Sequence, residues 1–102
     1  MNWETRRLVR FYVGGAASGS KVREADWKAI TLFGGFTRLD GWGGWEPAMG
    51  PSTQEPPSVW EIYPPDSDHE EKDVEEFATF LKELFQQEAV LVSVVGAAVT
   101  LV

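Results

Sequence analysis

The segment GWGGWEPAMGPSTQE, residues 41–55, holds the residue types in this chain best suited to chemistry. Glycines set between large aromatics let a backbone come close to a ligand or a neighbouring chain, and Trp42 and Trp45 supply flat contact area. Ten residues after Trp45 stands Glu55. Enclosure by indole and proline rings disfavours a charged carboxylate and suits it to act as a base, while an ionised one would hold a cation such as a sulfonium or an ammonium. Two bland readings compete: a tryptophan-packed bulged hairpin for the glycine-rich string, and a solvated loop residue for Glu55.

Other catalytic constellations are poorly supported. The chain has no cysteine, which excludes disulfides, thiolate zinc sites and cysteine nucleophiles. Its one histidine, His69, lies between Asp66, Asp68 and Glu70, Glu71. Consecutive acids on a helix point in different directions, so this run reads as a solvated helix start, and no metal site is expected. The serines have no nucleophile elbow and would share a single histidine. Gly14, Gly15 and Gly19 follow a strand and precede a helix, but their spacing matches neither a dinucleotide fingerprint nor a P-loop, whose lysine is also missing. No cofactor is expected.

The formal charge of −7 opposes binding to phosphate backbones, which depends on lysine and arginine, so free nucleic acid is not an expected partner. Acidity also fits a nucleic-acid mimic that occupies a basic host protein. At 102 residues the chain suits one domain, 1–102, because two cores would each be too small. Five tryptophans exceed what so small an interior can hide, and some should meet a ligand or another subunit. No charged leader opens the chain, and the apolar stretch 89–102 is shorter than a bilayer span, so a cytoplasmic location without membrane attachment is the expectation.

The elements that must position the 41–55 segment follow from periodicity. Leu8 to Val13 reads as a first strand, stopped by Gly14-Gly15. Arg23 to Phe33 reads as a helix, with Glu24 and Asp26 in its first turn and Trp27 and Ile30 sharing a buried face. Phe36 to Leu39 is a second strand that bulges near Gly41, and 46–57 is a stiff loop carrying four of the six prolines. Ser58 to Tyr63 is a third strand, with Val59, Glu61 and Tyr63 on one face and Trp60 and Ile62 on the other. Val74, Phe77, Leu81, Leu84 and Phe85 mark a second helix, with Lys82 near its C-terminal end. Ala89 to Val95 resembles a central strand covered on both sides, and Gly96 permits a turn into a candidate extra C-terminal strand, Ala97 to Val102. An apolar terminal strand left uncovered is an aggregation hazard, so pairing with another subunit is expected.

Strand, helix, strand, strand, helix, strand is an α+β order that right-handed crossovers arrange as a ferredoxin-like βαββαβ sheet with both helices on one face. The other face needs a cover. Further copies of the chain would supply it, and ligands would bind where the sheets meet.

The pair Gly44-Trp45, the ten-residue step to Glu55, the strand SVWEIY and the helix end LFQQEAVLV together resemble the phage S-adenosylmethionine lyases, small trimeric proteins of PII-like, ferredoxin-type fold. With FGGFTRLDGWGGW added, they are also similar to a bacterial domain family of unknown function that carries tryptophan at the corresponding place. The resemblance covers most of the chain from Phe11 to Val92. It implies a phage-type trimer with substrate between subunits, where a tyrosine and a glutamate of this loop region assist intramolecular cleavage to methylthioadenosine and homoserine lactone. The glutamate falls on Glu55 and the tyrosine on Trp45. Tryptophan has no hydroxyl and donates only through its ring nitrogen, but it can stack on adenine or face a sulfonium.

The resulting expectation is an oligomer binding a nucleoside-type small molecule, with Glu55 as the candidate catalytic residue and Trp42, Gly44, Trp45, Tyr12 and Gln87 as ligand-binding residues. S-adenosylmethionine lyase activity, a non-catalytic metabolite-binding module and an acidic inhibitor of a basic host protein all remain open on the sequence.

Overall fold

Val9, Phe11 and Val13 alternate with Arg10 and Tyr12, a period of two that makes a strand with one apolar face. The structure, a computed structural model, describes residues 1–14, 19–41, 43–45, 53–55 and 57–102, the backbone alone at 43–45 and 53–55. In it this stretch lies within β1, Glu4–Val13. There follow α1, Gly19–Phe33; β2, Thr37–Asp40; β3, Gly43–Trp45; β4, Thr53–Glu55; β5, Ser58–Ile62; α2, Glu70–Leu84; and β6, Leu91–Val99.

The main sheet has the order β2-β5-β1-β6, with every neighbouring pair antiparallel. Taking β2–β3 and β4–β5 as one hairpin, this is the ferredoxin-like arrangement of the βαββαβ order. Val9, Phe11, Val13, Trp60 and Ile62 on one sheet face meet Val22, Ala25, Ala29 and Phe33 of α1 and Phe77 and Leu81 of α2 in a single core, so both helices cover the same face. Phe77 sits at its centre: its ring packs edge-on against Phe11 at 4.8 Å, Phe33 at 5.8 Å and Trp60 at 6.3 Å. Such geometry sets the positive ring edge against a negative face.

Several expectations are corrected. Helix α1 starts about one turn before Arg23, at Gly19, so Glu24 and Asp26 lie inside the helix rather than in its first turn. Trp27 and Ile30 do not share a buried face. Trp27 is 69% exposed and Ile30 42%, because the sheet-facing positions are Val22, Ala25, Ala29 and Phe33, whose small alanines let the helix lie close. The C-terminal apolar stretch is one strand, β6, running through Gly96 without a turn and ending at Val99, so no extra C-terminal strand forms. That strand is also at the sheet edge, not its centre, and every one of its residues is exposed or half-buried.

The second helix and third strand agree with their periodicity. Phe77 and Leu81 are fully buried, with Val74, Leu84 and Phe85 packed beside them. Ser58, Trp60 and Ile62 are buried, alternating with half-buried Val59 and Glu61. Among the described residues, no helix is long and apolar enough to cross a membrane.

Candidate functional site

The glycine-rich segment is built into a β-ribbon. Gly43 pairs with Glu55, Gly44 with Gln54 and Trp45 with Thr53. The base of the same hairpin pairs Thr37 with Glu61 through Asp40 with Ser58, and the Gly41 N–H donates to the Pro57 carbonyl at 2.9 Å. Both ladders keep one register, so β2–β3 and β4–β5 continue each other as one arm, and the expected bulge is not found among the described residues. Glu55, expected in a loop, is in strand β4. Trp42 lies outside the described residues.

The topology gathers the other candidates at the same end of the sheet. Tyr12 is near the end of β1 and has Val59 of β5 and Leu91 of β6 as its two neighbours. Glu55 is four residues before Val59, and Gln87 is four residues before Leu91. Each is therefore at most about 14 Å of chain from a neighbour of Tyr12. Gly44, Trp45, Glu55, Tyr12 and Gln87 thus belong to one end, where β1 and β2 finish and β5 and β6 begin. His69 lies at the start of α2, after β5 has finished; it is exposed and outside this grouping.

Gln87 closes the end of α2. Its backbone N–H donates to the Lys82 carbonyl at 2.9 Å and that of Gln86 to the Glu83 carbonyl at 3.3 Å, the paired bonds of a Schellman cap. Gln86 takes the left-handed conformation there, φ 52°, where glycine is usual. The Gln87 side chain turns back, Nε2 donating to the Phe85 carbonyl at 3.1 Å, a bond that uses its amide nitrogen and not its amide oxygen.

A polar cluster that sequence reasoning missed secures the base of the arm. The buried Trp60 indole donates Nε1–H to Asp26 Oδ1 at 2.9 Å, and Arg38 Nε donates to the same oxygen at 3.2 Å. Arg38 Nη1 also reaches both oxygens of Asp40 at 3.3 Å, and the Ser58 hydroxyl donates to Asp40 Oδ1 at 2.9 Å. The available signal was the alternation of Arg38 and Asp40 with Trp60 and Ser58 on paired strands, but their pairing depends on register.

The open face of the sheet carries Tyr12, Leu39, Val59, Leu91 and Val95 around one ion pair, Arg10 Nε to Glu61 Oε2 at 2.7 Å. The hydrogen bond to Glu61 holds the Arg10 guanidinium above its ordinary pKa. Leu39, Leu91 and Val95 are all substantially exposed. On the helical side, Lys28 bridges to Glu76 at 3.0 Å and lies 5.4 Å from the Phe80 ring centre, lining a surface depression of about 530 Å³. No three histidines or acids converge as a metal site among the described residues.

Comparison with known proteins bears on this geometry. A family model described as "Protein of unknown function (DUF3574)" matches residues 9–101. No curated protein matches the sequence. Among solved structures, the chain is similar to a phage SAM lyase in complex with S-methyl-5'-thioadenosine, with a TM-score of 0.68 and 16% identity, over 94% of this chain and 90% of that one. It is also similar to CutA from Synechococcus elongatus, with a TM-score of 0.65 and 10% identity, over 96% of this chain and 85% of that one. These likenesses establish the shared ferredoxin-like, PII-like fold.

Proposed function

The chain belongs to this family of unknown function, and we propose that it is a homo-oligomer, a trimer foremost, that binds a small nucleoside-type ligand at the arm end of its sheet. S-adenosylmethionine is the first candidate. The observation that carries this reading is that Tyr12, Gln87 and the ribbon bearing Gly44, Trp45 and Glu55 all lie at one end of the sheet. The likeness in fold to a phage SAM lyase solved in complex with S-methyl-5'-thioadenosine supports the choice of ligand.

Two surfaces support self-association. The open face carries an apolar patch of Leu39, Val59, Leu91 and Val95 around the self-neutralised Arg10–Glu61 pair, with Arg6 and Glu4 farther along β1 on the same face, and that patch suits burial against another copy of the chain. β6 is a nine-residue edge strand without a charge or a proline, the usual guards of an exposed edge.

In this reading Trp42 and Trp45 stack on the ligand, Gly44 admits it close to the backbone, and Glu55 faces its sulfonium or ammonium. Tyr12 and Gln87 complete the contacts. The enzymatic form of the proposal is intramolecular cleavage: the substrate's own carboxylate forms a C–O bond to Cγ as the C–S bond breaks, and the electron pair leaves with sulfur. The products are homoserine lactone and methylthioadenosine, and the atoms balance without a co-reactant. Trp45 offers no hydroxyl to this reaction, so Glu55 acts on it electrostatically.

Calorimetry with S-adenosylmethionine tests the ligand, and chromatography of the incubated mixture for methylthioadenosine tests turnover. Binding with the ligand recovered unchanged would make the protein a binding module; no heat of binding would reject the ligand. A second reading, an acidic inhibitor of a basic host protein, is favoured by the exposed Trp27 on a chain of charge −7. It predicts a partner captured from host lysate at low salt and released at high salt.

A further inference from the structure

The ribbon formed by β3 and β4 is a two-stranded sheet of its own. A lone hairpin of that kind is marginal in water, so its register and direction must come from the strands it grows out of. Register decides which side chains share a face, and a slip of one residue would exchange the faces all along the arm.

At the root of the arm the last paired residues of the main sheet are Asp40 and Ser58. Ser58 is the one buried polar residue among those described, at 3% exposure, and its hydroxyl donates to Asp40 Oδ1 at 2.9 Å. A slip would carry Ser58 to the open face, put Val59 in its place and break this bond. Asp40 is held in turn by Arg38 Nη1, and Arg38 by Asp26 on α1, whose Oδ1 also takes the indole proton of Trp60. The chain of bonds runs from the core outward, ending three residues short of Glu55.

We propose that Asp40 and Ser58, backed by Arg38 and Asp26, form a register lock, and that these are positioning residues for the arm that carries Trp45 and Glu55. The inference rests on the reading of the arm as the ligand site only for its effect on binding; the effect on the arm itself is independent. Asp40 makes its contacts through a side chain that is 67% exposed, so its removal should alter the arm far more than the core.

The test compares Asp40→Ala, Asp40→Asn and the unaltered protein by amide hydrogen exchange and by calorimetry with S-adenosylmethionine. Asparagine keeps an acceptor for Ser58. The expected result for Asp40→Ala is a loss of about tenfold in exchange protection at 43–45 and 53–55, with β1 amides unchanged, and a loss of about tenfold in affinity. Asp40→Asn should restore most of both. Unchanged protection in the arm of Asp40→Ala, or equal loss throughout the main sheet, would overturn the lock. Selective loss of arm protection in a protein that never bound S-adenosylmethionine would uphold the lock and remove the proposed ligand.

Discussion

Trp60 and Asp26, 34 positions apart, meet through a 2.9 Å bond from the indole N–H to the carboxylate, joining the central strand β5 to helix α1 at the edge of the core. Trp60 is completely buried. Its ring satisfies the apolar interior while its one donor requires a partner, which Asp26 provides.

Replacing that partner should be costly. Asp26→Ala leaves the buried indole N–H unpaired and removes one of the two carboxylate partners of Arg38, and should lower stability by about 1–3 kcal/mol. Asp26→Asn, which retains an acceptor oxygen, should lose less. Urea unfolding of the two variants compares them directly, and equal losses would show that the hydrogen bond is not the source.

Phe77 packs edge-on against three aromatic rings and has no exposed surface. Phe77→Ala should cost about 3–5 kcal/mol, a large share of the stability of a domain this small. Near-ultraviolet circular dichroism and a thermal scan should show lost aromatic packing together with a lowered midpoint.

Gln86 caps α2 in the left-handed region, where its Cβ is strained. Gln86→Gly should stabilise the protein by about 1 kcal/mol, seen as a raised urea midpoint with an unchanged slope. An unchanged or lowered midpoint would mean that the Gln86 side chain offsets its backbone strain.

Arg10 has its pKa raised, first by the hydrogen bond to Glu61. For a raised cationic group the stabilising effect is fully present below the unfolded-state value and is lost only as pH rises through the higher folded-state value. Arg10 should therefore add no slope to stability from neutral to mildly alkaline pH. Unfolding curves of the unaltered protein and Arg10→Gln should run parallel over that range.

Val95 lies on the open face beside Leu8, and Leu91 beside Tyr12. If copies associate through this face, Val95→Lys should reduce the assembly to monomers at equal concentration in sedimentation velocity, with far-ultraviolet circular dichroism unchanged. An assembly that survives the added charge would have to use another surface.

Much of the fold was legible where one period dominated. The apolar stripe of α2 and the alternation of β5 each have a pattern that only one element satisfies. Helix α1 misled because size was mistaken for burial: Trp27 and Ile30 look like core, while the contact with the sheet is made by Ala25 and Ala29. The candidate site was legible as a segment, GWGGWEPAMGPSTQE, but not as a paired ribbon, since the prolines of its middle hide the short strand Thr53–Glu55.

The order of the main strands and helices and the hydrophobic periods of α2 and β5 were local properties, and the chain alone determined them. Whether β6 lay at the centre or the edge, which strand Arg38 and Asp40 faced, and which end of the sheet collected Tyr12, Gln87 and Glu55 were decided only in three dimensions. Those outcomes depend on strand order and register, which arise from contacts between residues distant in sequence, and no local pattern encodes the partner of an edge.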